Sequence, residues 1–216
     1  MPATKLIAHR GASHAAPENT LAAFRLAWEE GADGIEADFR LSCDGEIVCL
    51  HDPTTRRTGG VELAVAAATL AELRSVDVGK WKGEEWHGEA IPTLREVLAI
   101  LPTGKEFFIE LKSGPEIVPP LAAILAVPSF PHAAVKLLSF DEEVLRAAAR
   151  LLPGVKRLLL AEVKPGWSRE ALTTWMLAAL ERSGADGLAC RARRTIDADF
   201  VRRLRKAGKE FHVWTV

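Results

Sequence analysis

Histidine and charged side chains stand at the ends of four short apolar runs in this 216-residue chain. The run ends are His9-Arg10, Glu36-Ala37-Asp38, His51-Asp52 and Glu110-Leu111-Lys112. A lone histidine in such a place is more often a satisfied core residue beside a surface arginine. Four similar ends favour another interpretation, because parallel strands bring their carboxyl ends to one edge of a sheet. The sequence therefore predicts one polar cluster at that edge.

Three carboxylates dominate the predicted cluster. Glu36 and Asp38 are two residues apart, so both side chains project from one face of their strand. With Glu110 they form a converging set, in which like charges repel unless a cation or a proton lies among them. An all-oxygen set suits the hard ions Mg²⁺ or Ca²⁺ better than Zn²⁺. The alternative is a set of salt bridges with Arg10 and Lys112.

Two histidines and two basic residues add further chemistry to the cluster. His9 and His51 lie on different strands and could face each other across one opening, where two imidazoles supply a proton acceptor and a proton donor. Arg10 offers a forked set of donors and Lys112 a point charge, and both suit an anionic substrate. Together these groups predict metal-assisted phosphoryl chemistry.

Short strand patterns alternate with amphipathic helix patterns along the chain, which is typical of a parallel sheet covered by helices. The predicted strands are 6–9, 34–40, 46–51, 108–112, 135–139, 156–162, 187–191 and 211–216. The predicted helices are 20–31, 94–101, 117–126, 141–152, 168–183 and 197–207. This order predicts an α/β fold, a TIM-like (β/α)8 barrel, with its site at the carboxyl ends of the strands. A doubly wound open sheet is the alternative.

Two parts of the chain depart from the regular alternation. No helix pattern fits between the second and third strands, so we expect residues 40–46 to run back beside the sheet before the third strand rises. Residues 53–92 are interpreted as a small insertion after the third strand that caps the site. The sequence stops at the eighth strand, and we expect the last helix to lie in a missing C-terminal segment, because an uncovered apolar strand would expose a sticky surface.

Composition indicates an ordinary globular protein. Apolar residues make up 48% of the chain, and residues 1–216 are expected to form a single domain. A net charge of -1 gives no support for nucleic acid or a membrane surface as a partner. The sequence shows no signal-peptide core or membrane-spanning run, and an odd number of cysteines favours buried free thiols. We therefore expect a cytoplasmic protein without stable membrane association, and the oligomeric state stays open.

Ordered motifs across nearly the whole chain resemble one known family. They are His9-Arg10-Gly11-Ala12, Pro17-Glu18-Asn19-Thr20, Glu36-Ala37-Asp38, Asp44-Gly45, His51-Asp52, Ile91-Pro92-Thr93-Leu94, Glu110-Leu111-Lys112 and Trp214-Thr215-Val216. This set is similar to the motifs of the glycerophosphodiester phosphodiesterase family. The resemblance implies a TIM-like barrel with a small insertion after the third strand. It also implies an enzyme that hydrolyses glycerophosphodiesters to an alcohol and glycerol 3-phosphate.

The resemblance also implies a role for each site residue. His9 and His51 would be the acid and the base, in either order. The metal ligands would be Glu36, Asp38 and Glu110, which would hold a divalent ion, Mg²⁺ or Ca²⁺. Arg10 and Lys112 would contact the phosphate, Trp214 would line the substrate pocket, and Asn19 would be a scaffold for the first loop.

Three functions are compatible with these patterns. The first is a phosphodiesterase that acts on small, soluble, deacylated phospholipid head groups. The second is a phospholipase that acts on lysolipid or inositol lipid, which should show an apolar or basic rim facing the membrane. The third is a binding module that has lost activity, and the intact set of chemical residues argues against it.

Overall fold

The computed structural model of the chain describes residues 4–126, 134–162, 166, 168–193 and 196–214. The chain divides into two compact units, Met1–Val135 and Lys136–Val216. The strands and the six predicted helices follow one another in the predicted order. Every predicted site residue except Trp214 belongs to the first unit.

The described part of the first unit holds four strands and five helices. The strands are β1 (Ile7–His9), β2 (Gly34–Leu41), β3 (Ile47–Cys49) and β4 (Glu106–Leu111). The helices are α1 (Leu21–Glu29), α2 (Arg56–Gly59), α3 (Leu70–Arg74), α4 (Leu94–Ala99) and α5 (Val118–Leu125). Single 3-10 turns lie at Val65–Ala67, Glu84–Trp86 and Pro115–Ile117.

Strand β2 is the centre of the first unit. It pairs in parallel with β1, where Ala8 lies opposite Ile35, and with β4, where Ile35 lies opposite Phe107. Phe39 and Phe107 are fully buried, and their rings meet edge to face with centroids 5.9 Å apart. Core packing on one face thus fixes which residues of β2 point to the other face.

Helix α1 and helix α4 begin where the sequence predicts. Thr20 Oγ1 accepts a hydrogen bond from the backbone N–H of Ala23 at 3.2 Å and caps α1. Thr93 and Glu96 form a capping box at the start of α4. These starts place the crossover helices between the strands that carry the site.

Strand β1 is less buried than its apolar sequence predicts. Leu6 is 71% exposed, and Ile7 and Ala8 are half-buried. Within the described part of the first unit β1 pairs with β2 alone, so one of its edges receives no strand there. In the described part of this unit β1 is therefore an edge strand.

The third strand does not follow the predicted path. β2 continues past Asp38 to Leu41, residues 42–45 reverse the chain, and β3 pairs antiparallel with β2. Phe39 lies opposite Cys49 in this hairpin. The prediction that residues 40–46 run back before a parallel third strand is therefore wrong, because β3 itself is the returning segment.

This hairpin determines where His51 lies. Gly45 adopts φ 85° in the turn, a conformation that the Asp-Gly pair permits. After β3 the backbone N–H of Leu50 donates to the carbonyl of Asp38 at 3.0 Å. His51 is the next residue, so the chain returns it to the level of Asp38.

The predicted insertion, residues 53–92, has a small apolar core that it shares with β3. The buried members of this core are Val48, Leu50, Val65, Ala68, Leu73, Val76, Val78 and Ile91. Within the insertion, a 3-10 turn covers Val65–Ala67 and α3 covers Leu70–Arg74. The segment is thus a folded part of the first unit. Its capping role stays a prediction.

The second unit repeats the strand and helix order. Its elements are β5 (Val135–Ser139), α6 (Glu142–Leu151), β6 (Lys156–Ala161), α7 (Arg169–Ser183), β7 (Gly187–Arg191), α8 (Ala198–Lys206) and β8 (Glu210–Trp214). Strands β5 to β8 pair in parallel, each with the next. Met176 of α7, Phe200 of α8 and Leu188 of β7 are fully buried in one apolar core. Residues 215 and 216 of the predicted eighth strand lie outside the described residues.

Two expectations from composition concern single features of the structure. Among the described helices, none has the length and apolar character needed to cross a membrane. Cys49 and Cys190 are buried free thiols as predicted, but Cys43 is exposed. Cys43 lies in the turn of the β2–β3 hairpin, within the segment 40–46 that was expected to run beside the sheet.

Candidate active site

Strand register brings the predicted residues of the first unit together. β1 pairs with β2 so that His9 lies opposite Glu36, and β2 pairs with β4 so that Asp38 lies opposite Glu110. Lys112 directly follows β4. These positions are the carboxyl ends of parallel strands, where an α/β fold places its functional site.

Glu36, Asp38 and Glu110 form a buried carboxylate cluster. One ligand oxygen from each lies within 4.8 Å of the others. Burial, and then the charges of Asp38 and Glu110, raise the pKa of Glu36 well above its usual range. Burial and the charge of Asp38 also raise the pKa of Glu110, against the opposing effect of Lys112. The cluster therefore favours a bound positive charge.

Asp38 has the most positive surroundings of the three. Lys112 Nζ lies 3.2 Å from its Oδ1, and Arg10 Nε lies 3.1 Å from its Oδ2. Asn19 Nδ2 donates a hydrogen bond to Oδ2 at 2.9 Å. Burial alone would raise the pKa of Asp38, but Lys112, Arg10 and Asn19 outweigh burial and lower it. Lys112 also pairs with Glu110.

Glu36 differs from its two neighbours. Its Oε2 accepts a hydrogen bond from the backbone N–H of Arg10 at 3.1 Å and lies 3.8 Å from His9 Nε2. Its Oε1 is buried and accepts no hydrogen bond from the described residues. The salt-bridge alternative thus accounts for Asp38 and Glu110 but not for Glu36. A divalent cation fits this oxygen set, because it would satisfy Oε1 and offset the repulsion.

The loop after β1 has a tightly turned backbone. Arg10 and Asn19 adopt backbone φ angles of 60° and 59°, which residues other than glycine seldom do. Gly11 has φ 78°, and a Cβ there would lie 2.7 Å from the carbonyl carbon of Ala23. The backbone N–H of Asn19 donates to the carbonyl of Arg10 at 3.1 Å. This geometry holds the Arg10 guanidinium beside Asp38.

His51 is anchored through its side chain and its backbone. Its Nδ1 lies 2.7 Å from Asp52 Oδ1. Arg40 Nε and Nη2 donate to the His51 carbonyl at 3.0 and 2.6 Å. Arg40 Nη1 also donates to the Lys112 carbonyl at 3.3 Å. One arginine of β2 thus holds the backbone at two predicted site residues.

His9 is the more exposed of the two histidines, with half of its side chain in contact with solvent. Burial and then the charge of Arg10 lower the pKa of His9, against the opposing charges of Asp38 and Glu18. The charge that His51 carries when protonated lowers it further. The two imidazoles are therefore near enough to influence each other.

A cavity of about 290 Å³ lies beside His9. The first loop lines it from Gly11 to Ala15, together with Glu30. Lys82 of the insertion donates to the carbonyl of Ser13 at 2.8 Å. The insertion thus contacts the loop that borders the cavity.

Two contact residues were underestimated from the sequence. Asn19 was predicted only as a loop scaffold, yet it contacts Asp38 directly, and its Oδ1 accepts from the Asp38 backbone N–H at 3.2 Å. Arg40 was not predicted at all. Its position two residues after Asp38, on the same face of β2, is the signal that would have found it.

Trp214 lies at the end of β8 in the second unit. Its ring meets Phe140 edge to face, with centroids 6.4 Å apart. Both residues belong to the second unit. The role of Trp214 in a substrate pocket stays a prediction.

Comparison with known proteins identifies relatives of the chain. A glycerophosphodiester phosphodiesterase of Caldanaerobacter subterraneus is 44% identical over 144 residues, which are 66% of this chain and 56% of the relative. One of Bacillus subtilis is 29% identical over an alignment of 232 positions, which covers 97% of this chain and 75% of the relative. The chain spans about half the length of the first of these relatives.

Solved structures have the same fold. An Oleispira antarctica phosphodiesterase in complex with the product sn-glycerol-3-phosphate is 30% identical to this chain, with a TM-score of 0.85. The superposition covers 99% of this chain and 85% of the Oleispira chain. A Thermotoga maritima glycerophosphodiester phosphodiesterase is 28% identical to this chain, with a TM-score of 0.76. The superposition covers 100% of this chain and 88% of the Thermotoga chain. The predicted TIM-like (β/α)8 fold is thereby confirmed. Residues 9–216 match the sequence model of the glycerophosphoryl diester phosphodiesterase family, and the chain belongs to that family.

Proposed function

We propose that the protein is an enzyme that hydrolyses glycerophosphodiesters to an alcohol and glycerol 3-phosphate. The observation that carries this proposal is the carboxylate cluster of Glu36, Asp38 and Glu110, which lies at the strand ends that also bear His9 and His51. The names of the relatives and the product bound to the Oleispira enzyme support it.

In the proposed reaction a water oxygen attacks phosphorus, and the bond between phosphorus and the alcohol oxygen breaks. One histidine takes a proton from the attacking water, and the other gives a proton to the departing alkoxide. Asp52 lies 2.7 Å from His51 Nδ1, so it orients the ring and leaves Nε2 as the nitrogen that exchanges a proton. We assign His51 as the acid and His9 as the base, and the reverse order is the alternative. The glycerol 2-hydroxyl, forming a cyclic phosphate that water then opens, is an alternative attacking group.

We propose that Glu36, Asp38 and Glu110 hold a divalent cation, Mg²⁺ or Ca²⁺. When bound, such an ion supplies charge stabilisation for the phosphoryl oxygens. Arg10 and Lys112 are assigned to the substrate phosphate, because both cations lie beside Asp38 in the same cluster. Trp214 is assigned to the substrate pocket by its place in the family motif.

The proposed substrates are small molecules with a water-soluble head group. A formal net charge of -1 gives no general attraction to nucleic acid or to an anionic membrane surface. We also propose a cytoplasmic location, because Cys43, Cys49 and Cys190 are free thiols.

A turnover assay across glycerophosphodiesters tests the proposal. Choline, ethanolamine, glycerol and inositol diesters are incubated with the protein and Mg²⁺ or Ca²⁺, and a coupled enzyme measures glycerol 3-phosphate. We expect release from at least one diester. Release of a phosphorylated head group with free glycerol would contradict the proposed bond cleavage, and so would no release from any diester.

A further inference from the structure

We propose that Arg57 is a positioning residue that orients the His51 imidazole through Asp52, an inference that rests on the proposed function. Arg57 lies in α2 of the insertion. Its Nε donates to Asp52 Oδ2 at 2.6 Å. The other oxygen of Asp52, Oδ1, is the one that lies 2.7 Å from His51 Nδ1.

Arg57 and His51 thus hold Asp52 by its two different oxygens. An ionised carboxylate only accepts hydrogen bonds, so the proton of this pair lies on His51 Nδ1, and Nε2 is the nitrogen that can exchange a proton with a substrate. Partial burial opposes ionisation of Asp52, but the hydrogen bonds of Arg57 and His51 lower its pKa to about 2. The carboxylate therefore stays charged and fixed at neutral pH.

The other end of the Arg57 guanidinium is fixed as well. Its Nη1 and Nη2 donate to Glu18 Oε2 and Oε1 at 2.9 and 2.7 Å, a bidentate pair. Glu18 Oε1 also accepts from Arg10 Nη1 at 2.9 Å, and Arg10 Nε lies 3.1 Å from Asp38. A continuous chain of ion pairs thus joins the carboxylate cluster to Asp52. The orientation of His51 depends on the insertion and on the first loop together.

This arrangement predicts an effect on the reaction with little effect on stability. The Arg57 side chain is 43% exposed, and exposed ion pairs contribute little to folding. Misplacing a reacting group by about 1 Å costs on the order of 100-fold in rate. We therefore expect Arg57→Leu to lower kcat/KM for glycerophosphocholine about 10- to 100-fold, with an unchanged melting temperature.

The matched control is Arg56→Leu. Arg56 is the adjacent residue, its side chain is 74% exposed, and it pairs with Glu62 at 3.0 Å outside the chain of ion pairs. We expect this variant to retain the wild-type kcat/KM.

A double-mutant cycle with His51→Ala separates positioning from a general structural role. If Arg57 acts through His51, Arg57→Leu costs nothing further once the imidazole is absent. An equal loss in both backgrounds would overturn the proposal, and so would full activity of the single Arg57→Leu variant.

Nitrogen NMR of the His51 ring gives a second readout that needs no turnover. We expect a single Nδ1-protonated form in the wild type and in Arg56→Leu, and a mixture of tautomers in Arg57→Leu. Identical ring spectra in all three proteins would contradict the positioning role. A wild-type protein that hydrolyses no glycerophosphodiester would contradict the proposed function instead, and the ring spectra would still decide the role of Arg57.

Discussion

Asp38 and Glu36 lie two residues apart on one strand face, yet their surroundings give them opposite electrostatic character. Two cations and an amide surround Asp38, whereas the described residues offer Glu36 one backbone N–H and the His9 ring. Asp38 thus organises the protein groups of the site, and Glu36 is the carboxylate that most needs an added cation. The two residues should respond differently to loss of charge.

We predict that Glu36→Gln abolishes the rise in melting temperature that Mg²⁺ or Ca²⁺ produces in the wild type. Without metal the melting temperature of the variant should lie within about 2–4 °C of the wild-type value, since the raised pKa of Glu36 already reflects the cost of burying its charge. Asp38→Asn should instead lower the free energy of unfolding by about 3–5 kcal/mol, because Arg10 and Lys112 lose a buried charged partner. Scanning calorimetry with and without metal checks both. An undiminished metal effect in Glu36→Gln would exclude Glu36 as a ligand.

The two histidines can be separated by the chemistry of the leaving group. A general acid matters most when the departing alkoxide is basic and little when a stable phenolate departs. His51→Ala should therefore lose about 10² to 10⁴ in rate on glycerophosphocholine and much less on a nitrophenyl phosphodiester. His9→Ala should be impaired on both. The reverse pattern would exchange the two roles, and full activity of both variants on both substrates would remove the histidines from the mechanism.

At the residue scale, the period of two along a strand was enough to predict the carboxylate cluster. The same rule places Arg40, the last residue of the predicted second strand, on the same face of β2, although Arg40 was not among the predicted site residues. The contact of Arg57 with Glu18 joins residues 39 positions apart in the chain. No local pattern encodes such a contact, so the sequence alone could not predict it.

At the scale of elements, the antiparallel β2–β3 hairpin is the feature that the sequence analysis misjudged. Asp44-Gly45 is a pair typical of a hairpin turn, but the expected βα rhythm assigned the next strand a parallel direction. The side-chain period is the same in both directions, so the pattern of β3 could not decide between them. The correct direction follows from the short connection, since parallel strands need a long crossover.

The insertion is expected to influence the choice of alcohol. Lys82 holds it to the Ser13 carbonyl beside the cavity at His9. We predict that Lys82→Met changes the relative kcat/KM of choline, ethanolamine and glycerol diesters by several-fold without lowering the melting temperature. Lys80→Met is the control, because Lys80 is exposed and pairs only loosely with Glu84, at 3.8 Å. If the ranking of the diesters stays the same in both variants, the insertion does not cap the alcohol side.

In the second unit, one carboxylate ties three strands together. Glu210 of β8 pairs with Lys156 of β6 and lies 3.2 Å from Lys136 of β5. Gly187 of β7 lies opposite Glu210, and a Cβ there would come within 2.8 Å of the Glu210 Cβ. The absent side chain thus leaves room for this ion pair.

We predict a pH-dependent stability difference between the wild type and Glu210→Gln. Partial burial disfavours the charge, but Lys156, Lys136 and His212 lower the pKa of Glu210 to about 2. Because the folded pKa lies below the unfolded value of about 4.3, the stabilisation is present above that value and is lost as the pH falls toward 2. Urea unfolding should show that the difference in free energy of unfolding between the wild type and Glu210→Gln becomes smaller from pH 6 to pH 3. A difference in free energy of unfolding that does not change with pH would show that the charge of Glu210 is not the source of the stabilisation.

At the scale of the whole molecule, the chemical residues are concentrated in one of two compact units. Every predicted catalytic, metal and phosphate residue belongs to Met1–Val135, whereas the proposed pocket residue Trp214 belongs to Lys136–Val216. Sequence periodicity predicted the order of the strands and of helices α1 and α4 to α8. It could not predict the division into units, because that depends on long-range contacts. The central proposal is thus one of metal-dependent phosphodiester hydrolysis by groups of the first unit.

The most direct test is the release of glycerol 3-phosphate from glycerophosphocholine by protein stripped of metal, titrated with Mg²⁺ or Ca²⁺ and then treated with excess chelator. We predict negligible release from the stripped protein, release that rises with one of the two ions to saturation, and its loss on chelation. Undiminished release by the stripped protein in excess chelator would contradict the metal-dependent reaction at Glu36, Asp38 and Glu110.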